Sequence, residues 1–239
     1  MSINKREYFL EGCGIKPTRI VGGSEAEPYS IPWQVGLLHW GYTYPHCGGT
    51  LISNRHVLTA AHCTNSLSSS YNSIVVVVGD HKIIDNFHGF NLDGTFHTIC
   101  RIQNHPQYNN ETFNNDFAII TLTRPVEIGI RVNYACLPTS ALEGDFLAGK
   151  TVELSGWGQL GSNLPLDQSW PWVLHTVDLP VVSTADCKLW FPIPEPPNTF
   201  PITDRMLCAG REGETAVGGC IGDSGGNNRF RNNRQTIIG

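Results

Sequence analysis

The sequence predicts an all-β protein, a small barrel or sandwich of short strands, on three observations. Helical periodicity is almost absent. Short β-rich runs bounded by Gly, Pro, Asn and Ser follow one another along the chain. With 239 residues, 40% of them hydrophobic and 15% charged, the chain is long and apolar enough to bury a sizeable core, as one large domain or two small ones.

The first half holds six runs, at 33–38, 47–52, 56–61, 74–79, 98–103 and 117–122. The longest unbroken aliphatic stretch, Ile74-Val75-Val76-Val77-Val78, reads as a buried strand. It falls far short of the roughly 20 residues that span a bilayer. Residues 88–96 and 104–115 are polar loops rich in Gly or Asn, and 133–149 reads as a connector. The second half gives four clear runs, at 151–156, 175–182, 206–209 and 236–239, and the last has barely begun where the chain stops. No internal repeat is visible.

A formal net charge of -5 with scattered Lys and Arg lacks the basic footprint of a nucleic-acid binder. The nearest approach to one, Arg229-Phe230-Arg231-Asn232-Asn233-Arg234, reads as a solvated loop. Residues 1–10 have no apolar core of a secretory signal, which predicts a missing start or a fragment of a longer chain. The eight cysteines form no C-x-x-C pair and no Cys/His cluster at zinc spacing. Disulfides and an oxidising compartment are therefore expected, with Cys47 and Cys63 flanking one histidine motif and Cys187 and Cys208 bracketing the Pro-rich stretch 192–201. The triplet Asn110-Glu111-Thr112 makes Asn110 a glycosylation candidate and agrees with secretion.

Three segments carry the chemistry: Thr59-Ala60-Ala61-His62-Cys63, Asn115-Asp116-Phe117-Ala118 and Gly222-Asp223-Ser224-Gly225-Gly226. A serine oxygen becomes a useful nucleophile at neutral pH when a base takes its proton and a carboxylate orients that base. The order His, Asp, Ser excludes the subtilisin and α/β-hydrolase orders and leaves that of chymotrypsin.

With Arg19-Ile20-Val21-Gly22-Gly23, Pro32-Trp33-Gln34-Val35, His46-Cys47-Gly48-Gly49, His105-Pro106-Gln107-Tyr108-Asn109 and Ser155-Gly156-Trp157-Gly158 in the same order and spacing, residues 13–226 resemble the chymotrypsin-like (trypsin-fold) serine proteases. The resemblance implies two six-stranded antiparallel Greek-key barrels: the first over about 20–132, a connector over about 133–149, and the second over about 150–239. Residues 1–19 would be a propeptide or the remnant of an upstream region.

On the same resemblance His62 is the general base and then acid, Asp116 orients it, Ser224 attacks, and the amides of Gly222 and Ser224 form the oxyanion hole. Cleavage after Arg19 would free the Ile20 amine to pair with Asp223, so the uncut chain is a zymogen. Gly218, with Gly219 beside it, stands where trypsin-like members carry a pocket Asp, which implies an apolar primary specificity. The implied disulfides are Cys47–Cys63, Cys187–Cys208 and Cys13–Cys136. Cys100 has no counterpart, and that of Cys220 would lie beyond residue 239. No cofactor or metal is implied. The implied partners are protein or peptide substrates, an activating trypsin-like protease and protein inhibitors, without nucleic acid or membrane, in an extracellular setting.

One departure stands out. After Gly226 the family continues with an apolar strand, whereas this chain has Asn227-Asn228-Arg229-Phe230 and stops at Gly239. The expectation is a second barrel incomplete at its C-terminal end, with a polar cap or loop over 227–234. The alternative reading is a catalytically inactive homologue that serves as a binding or regulatory module.

Overall fold

The computed structural model describes residues 13–14, 24–40, 42, 44–65, 73–83, 94–137, 144–160, 169–190, 201–211, 222–230 and 236–237, with backbone alone at 144–145, 227–230 and 236–237. Six strands close a barrel: β2 (Gln34–His39), β3 (Cys47–Leu51), β4 (His56–Thr59), β5 (Ile74–Val78), β6 (Thr95–Asn104) and β7 (Ala118–Leu122), joined in the order β2-β3-β4-β7-β6-β5. Every pairing is antiparallel. Alternation along β2 and β5 sends Val35, Leu37, Val76 and Val78 inward with Trp33, Leu51, Val57, Ile120 and Leu122. The opposite faces of the same two strands bury Leu38, Val75 and Val77 in a small separate cluster. That explains why β5 reads as an unbroken aliphatic run rather than an alternating one.

A second sheet of six strands runs β1-β9-β8-β11-β12, with β10 added to β9. Its strands are β1 (Ser24–Glu25), β8 (Thr151–Gly156), β9 (His175–Val182), β10 (Cys208–Ala209), β11 (Asn227–Phe230) and β12 (Thr236–Ile237). Leu147, Val152, Leu179 and Val181 form its own apolar cluster. Two elements of this sheet were not expected. β1 is only two residues long and pairs with β9, so it lies in this sheet although the sequence places it in the stretch of the first barrel.

β11 corrects the reading of residues 227–230 as loop or cap. Its register sets Asn227 opposite Ser155, Arg229 opposite Glu153 and Phe230 opposite Val152. Across the sheet Glu153 also faces Asp178, so a basic position completes a row with two acidic ones. Glu153 is buried at 2% exposure. The polar letters of β11 thus match those of the strand it joins.

The structure also adds two short helices to the all-β expectation. The corner helix α1 (His62–Asn65) follows β4, and α2 (Thr184–Trp190) follows β9. Ser183 caps α2: its hydroxyl accepts from Asp186 N (3.1 Å) and donates to Asp186 Oδ2 (2.6 Å). The hydroxyl thus satisfies one of the free N–H groups at the start of the helix. Among the described residues no helix is long and apolar enough to cross a membrane.

The two sheets are held against each other by buried polar links as well as by packing. Ser155 Oγ donates to Gln34 Oε1 (2.8 Å), and both residues are buried. Trp157 Nε1 donates to the His81 carbonyl (3.2 Å) while its ring joins the barrel core. The connector follows the seam: Asn133 N donates to Pro32 O and Ala135 N to Leu51 O, while Gly149 N reaches Val181 O on the other sheet. Disulfides join Cys13–Cys136, Cys47–Cys63 and Cys187–Cys208, the three pairs expected. Cys100 is a free, exposed thiol in β6, and Cys220 lies outside the described residues.

Candidate active site

The seam between the sheets gathers the three chemical segments. His62 opens α1 directly after β4, Asp116 stands just before β7, and Ser224 sits in the turn that leads into β11. Both oxygens of Asp116 are engaged by His62: Oδ1 accepts from its backbone N (2.8 Å) and Oδ2 meets Nδ1 (2.6 Å). Two bonds from one residue fix the ring in position and rotation, and they assign the proton on Nδ1 to the carboxylate, leaving Nε2 to act as acceptor. The ring is about one-third exposed and the carboxylate one-fifth, so the pair is open to a substrate but not free in water.

Ser224 comes to the same place from the second sheet. Its carbonyl accepts from Gly48 N on β3 (2.7 Å). The Cys63 sulfur lies 3.6 Å from that carbonyl and 3.6 Å from His62 Nε2. Among the described residues no hydrogen bond joins the Ser224 hydroxyl to Nε2, a contact that tightens in many hydrolases only when substrate arrives. Cys47, His62 and Cys63 together have the compactness of a metal site. Both sulfurs are bonded to each other, however, and a disulfide offers no thiolate ligand.

The turn before Ser224 is built on glycine. Gly222 is buried with φ +98°, a conformation that side chains rarely adopt, and a Cβ there would come within 2.7 Å of the Trp170 ring. Asp223 turns the other way. Its Oδ1 accepts from Gly158 N (2.7 Å), and a Cβ on either Gly156 or Gly158 would overlap its carboxylate. The Gly-Trp-Gly segment is therefore a cradle for one acidic side chain.

Arg19, Ile20, Gly218 and Gly219 lie outside the described residues. Asn110 is exposed on the loop between β6 and β7.

The sequence reading missed three neighbours of the site. Phe113, three positions before Asp116, packs edge-on against the His62 ring at 5.7 Å between centroids. It does so with φ 54°, an unusual backbone for a bulky residue and a mark of local strain beside the site. Its only sequence signal is an aromatic residue inside a polar loop. Trp170, against Gly222, also stacks on Tyr44, whose other neighbour is Trp172, each pair at 5.0 Å.

The third is His46, stacked on His39 at 4.5 Å. Among the described residues neither of its ring nitrogens finds a hydrogen-bond partner. Burial first, and then the neighbouring His39, push its pKa down to about 4; the nearby carbonyls of Cys63 and Leu37 oppose that shift only in part. An unfolded histidine titrates near about 6.5. Between those values the unfolded chain binds a proton that the folded chain refuses, so stability falls as pH drops through that window and levels off below it. His46→Phe, which keeps a ring in place, should lose less thermal stability than the parent between about pH 7 and about pH 4.5. Equal acid loss in the two proteins would remove His46 as the source.

The sequence is similar to known proteins. The family model described as Trypsin matches residues 20–238. Serine protease 1 of Rattus norvegicus is 36% identical over 208 residues, covering 87% of this chain and 73% of that protein. Chymotrypsin-C of Mus musculus is 34% identical over 219 residues, covering 87% and 71%. The clotting factor G beta subunit of Tachypleus tridentatus is 34% identical over 238 residues, covering 95% and 72%.

Proposed function

The chain belongs to the trypsin family of serine proteases, and from that premise we propose that it is a secreted endopeptidase, made as a zymogen and cut after Arg19, that cleaves after apolar residues. The observation that carries the chemistry is the double engagement of Asp116 by His62.

His62 Nε2 removes the hydroxyl proton of Ser224 as Oγ attacks the scissile carbonyl. Asp116 stays ionised, holds the tautomer and stabilises the imidazolium that forms. The amides of Gly222 and Ser224 donate to the developing oxyanion, which the glycine backbone lets approach closely. The imidazolium then protonates the leaving amine and an acyl group remains on Ser224; water, deprotonated by the same base, attacks that acyl carbon, the bond to Ser224 Oγ breaks, and the proton returns to the serine. The disulfide Cys47–Cys63 pins the residue next to His62 to β3, the strand that also bonds Ser224, and so supports the alignment of base and nucleophile.

The apolar specificity is supported by one residue identity and one ring contact. Gly218 supplies no carboxylate for an Arg or Lys side chain. Phe113, edge-on to His62, supplies an aromatic wall beside the base. The expected partners are protein or peptide substrates, a trypsin-like activator and protein inhibitors, in the oxidising space that three disulfides suit.

The test is a set of peptides with Phe, Leu, Ala or Arg before the scissile bond, offered to protein treated with a trypsin-like activator. Phe and Leu should exceed Arg in kcat/KM by about 100-fold, the scale a mismatched pocket imposes. An Arg preference would overturn the argument from Gly218.

A further inference from the structure

The chain's single Asn-x-Ser/Thr triplet lies on the loop that carries Phe113 to His62, a juxtaposition the mechanism does not use. The loop, 105–117, is a laced hairpin. His105 N donates to Phe117 O (2.8 Å), Asn115 Nδ2 to Gln107 O (3.0 Å) and Asn109 N to Asn114 O (3.0 Å). Its tip is turned by Asn109, whose Oδ1 accepts from Glu111 N (2.8 Å) and Thr112 N (3.0 Å). The next residue, Asn110, is left exposed at the turn, the setting in which an acceptor asparagine is reached. The Tyr108 hydroxyl donates to Asn110 Oδ1 (3.2 Å), and among the described residues no acceptor holds Nδ2.

The tip is also held where it is. Thr203 Oγ1, from the segment before β10, donates to Asn114 Oδ1 (2.7 Å), so the loop is tied to the second sheet on the far side of the seam. Three residues of chain span at most about 10 Å, so Asn110 stands within that reach of Phe113. A branched oligosaccharide extends well beyond it.

We infer that Asn110 carries an N-linked glycan that overhangs the His62–Phe113 side of the cleft and admits short peptides more readily than folded protein substrates and protein inhibitors. In the modification step Asn110 Nδ2 attacks the anomeric carbon of an oligosaccharyl diphospholipid. The new N–C bond replaces the C–O bond to the diphosphate, the lipid diphosphate departs, and one Nδ2 proton passes to solvent. The site itself stands on the triplet and the loop; the gating rests on the protease reading above.

The full chain made in a glycosylating secretory host, with Asn110→Gln, Thr112→Ala and Thr112→Ser, tests both parts. Intact mass should show a glycan on the parent and on Thr112→Ser, absent from the other two and removed by a glycan-releasing amidase that leaves Asp at position 110. After activation, a short chromogenic peptide should be cleaved equally by all four. The two proteins without glycan should gain about tenfold in kcat/KM on a folded protein substrate and in association rate with a protein inhibitor. Absence of any mass increment on the parent overturns the site, whatever the activity. A glycan present with unchanged protein-to-peptide ratios overturns the gating alone. Glycosylated protein that leaves a small serine-directed phosphonate unreacted overturns the protease reading and the gating together.

Discussion

Ser224→Ala is expected to abolish labelling of the activated protein by a serine-directed phosphonylating reagent, which should otherwise add once. The reagent reads the reactive hydroxyl itself, so the result does not depend on finding the natural substrate. Labelling that persists in Ser224→Ala would show that another residue is the nucleophile. His62→Ala should lower kcat by on the order of 10⁴- to 10⁶-fold with the fold retained, a magnitude established for serine-protease triads rather than read from this chain. The fold should survive because the ring is about one-third exposed and bonds chiefly to Asp116. Asp116→Asn should cost about 10⁴-fold, again the family's magnitude, because an amide beside Nδ1 favours the wrong tautomer. Circular dichroism and thermal unfolding beside each rate measurement separate a chemical loss from a structural one.

The second large effect is expected at Asp223. Its carboxylate is cradled by Gly156 and Gly158 within one residue of the nucleophile, so its placement decides where the amides of Gly222 and Ser224 point. If the Ile20 amine freed by cleavage completes that arrangement, Arg19→Gln should stay uncut by a trypsin-like activator and show almost no turnover. Asp223→Asn should be cut normally yet remain about 10²- to 10³-fold below the parent in kcat, the scale of losing oxyanion donors. N-terminal sequencing establishes cleavage, and active-site titration counts competent molecules. Full turnover by uncut Arg19→Gln would end the activation reading.

What the sequence made legible follows from range. The strands of the closed barrel announce themselves because their inward positions must be apolar whatever their partners: 33–38, 47–52 and 74–79 fall on β2, β3 and β5. β6 outran its expected span of 98–103 because its residues are largely exposed, and burial does not mark the ends of such a strand. β11 was illegible for a stronger reason. Its polar letters make sense only beside Glu153 and Ser155, more than a sheet-width of sequence away, so no local pattern carries them. Among the candidate site residues, His62 and Ser224 stand in alanine- or glycine-flanked segments that mark them in the sequence, whereas Asp116, between Asn115 and Phe117, was singled out only by its place in the order His, Asp, Ser. Phe113 and Trp170 were not, since an aromatic ring in a loop carries no mark of what it will touch.

The turn that holds Ser224 has a consequence for how the molecule comes into being. Its carbonyl is bonded to β3 and lies against a sulfur 161 residues earlier, while the strand that follows it is laid on β8. Contacts of such separation form late, because a long stretch of chain must first be closed to make them. Base and carboxylate, only 54 residues apart and both borne by the first barrel, can meet much sooner. A chain still folding is thus expected to orient its histidine before its serine turn is docked, so that any reaction of Ser224 would wait until both sheets have closed around it.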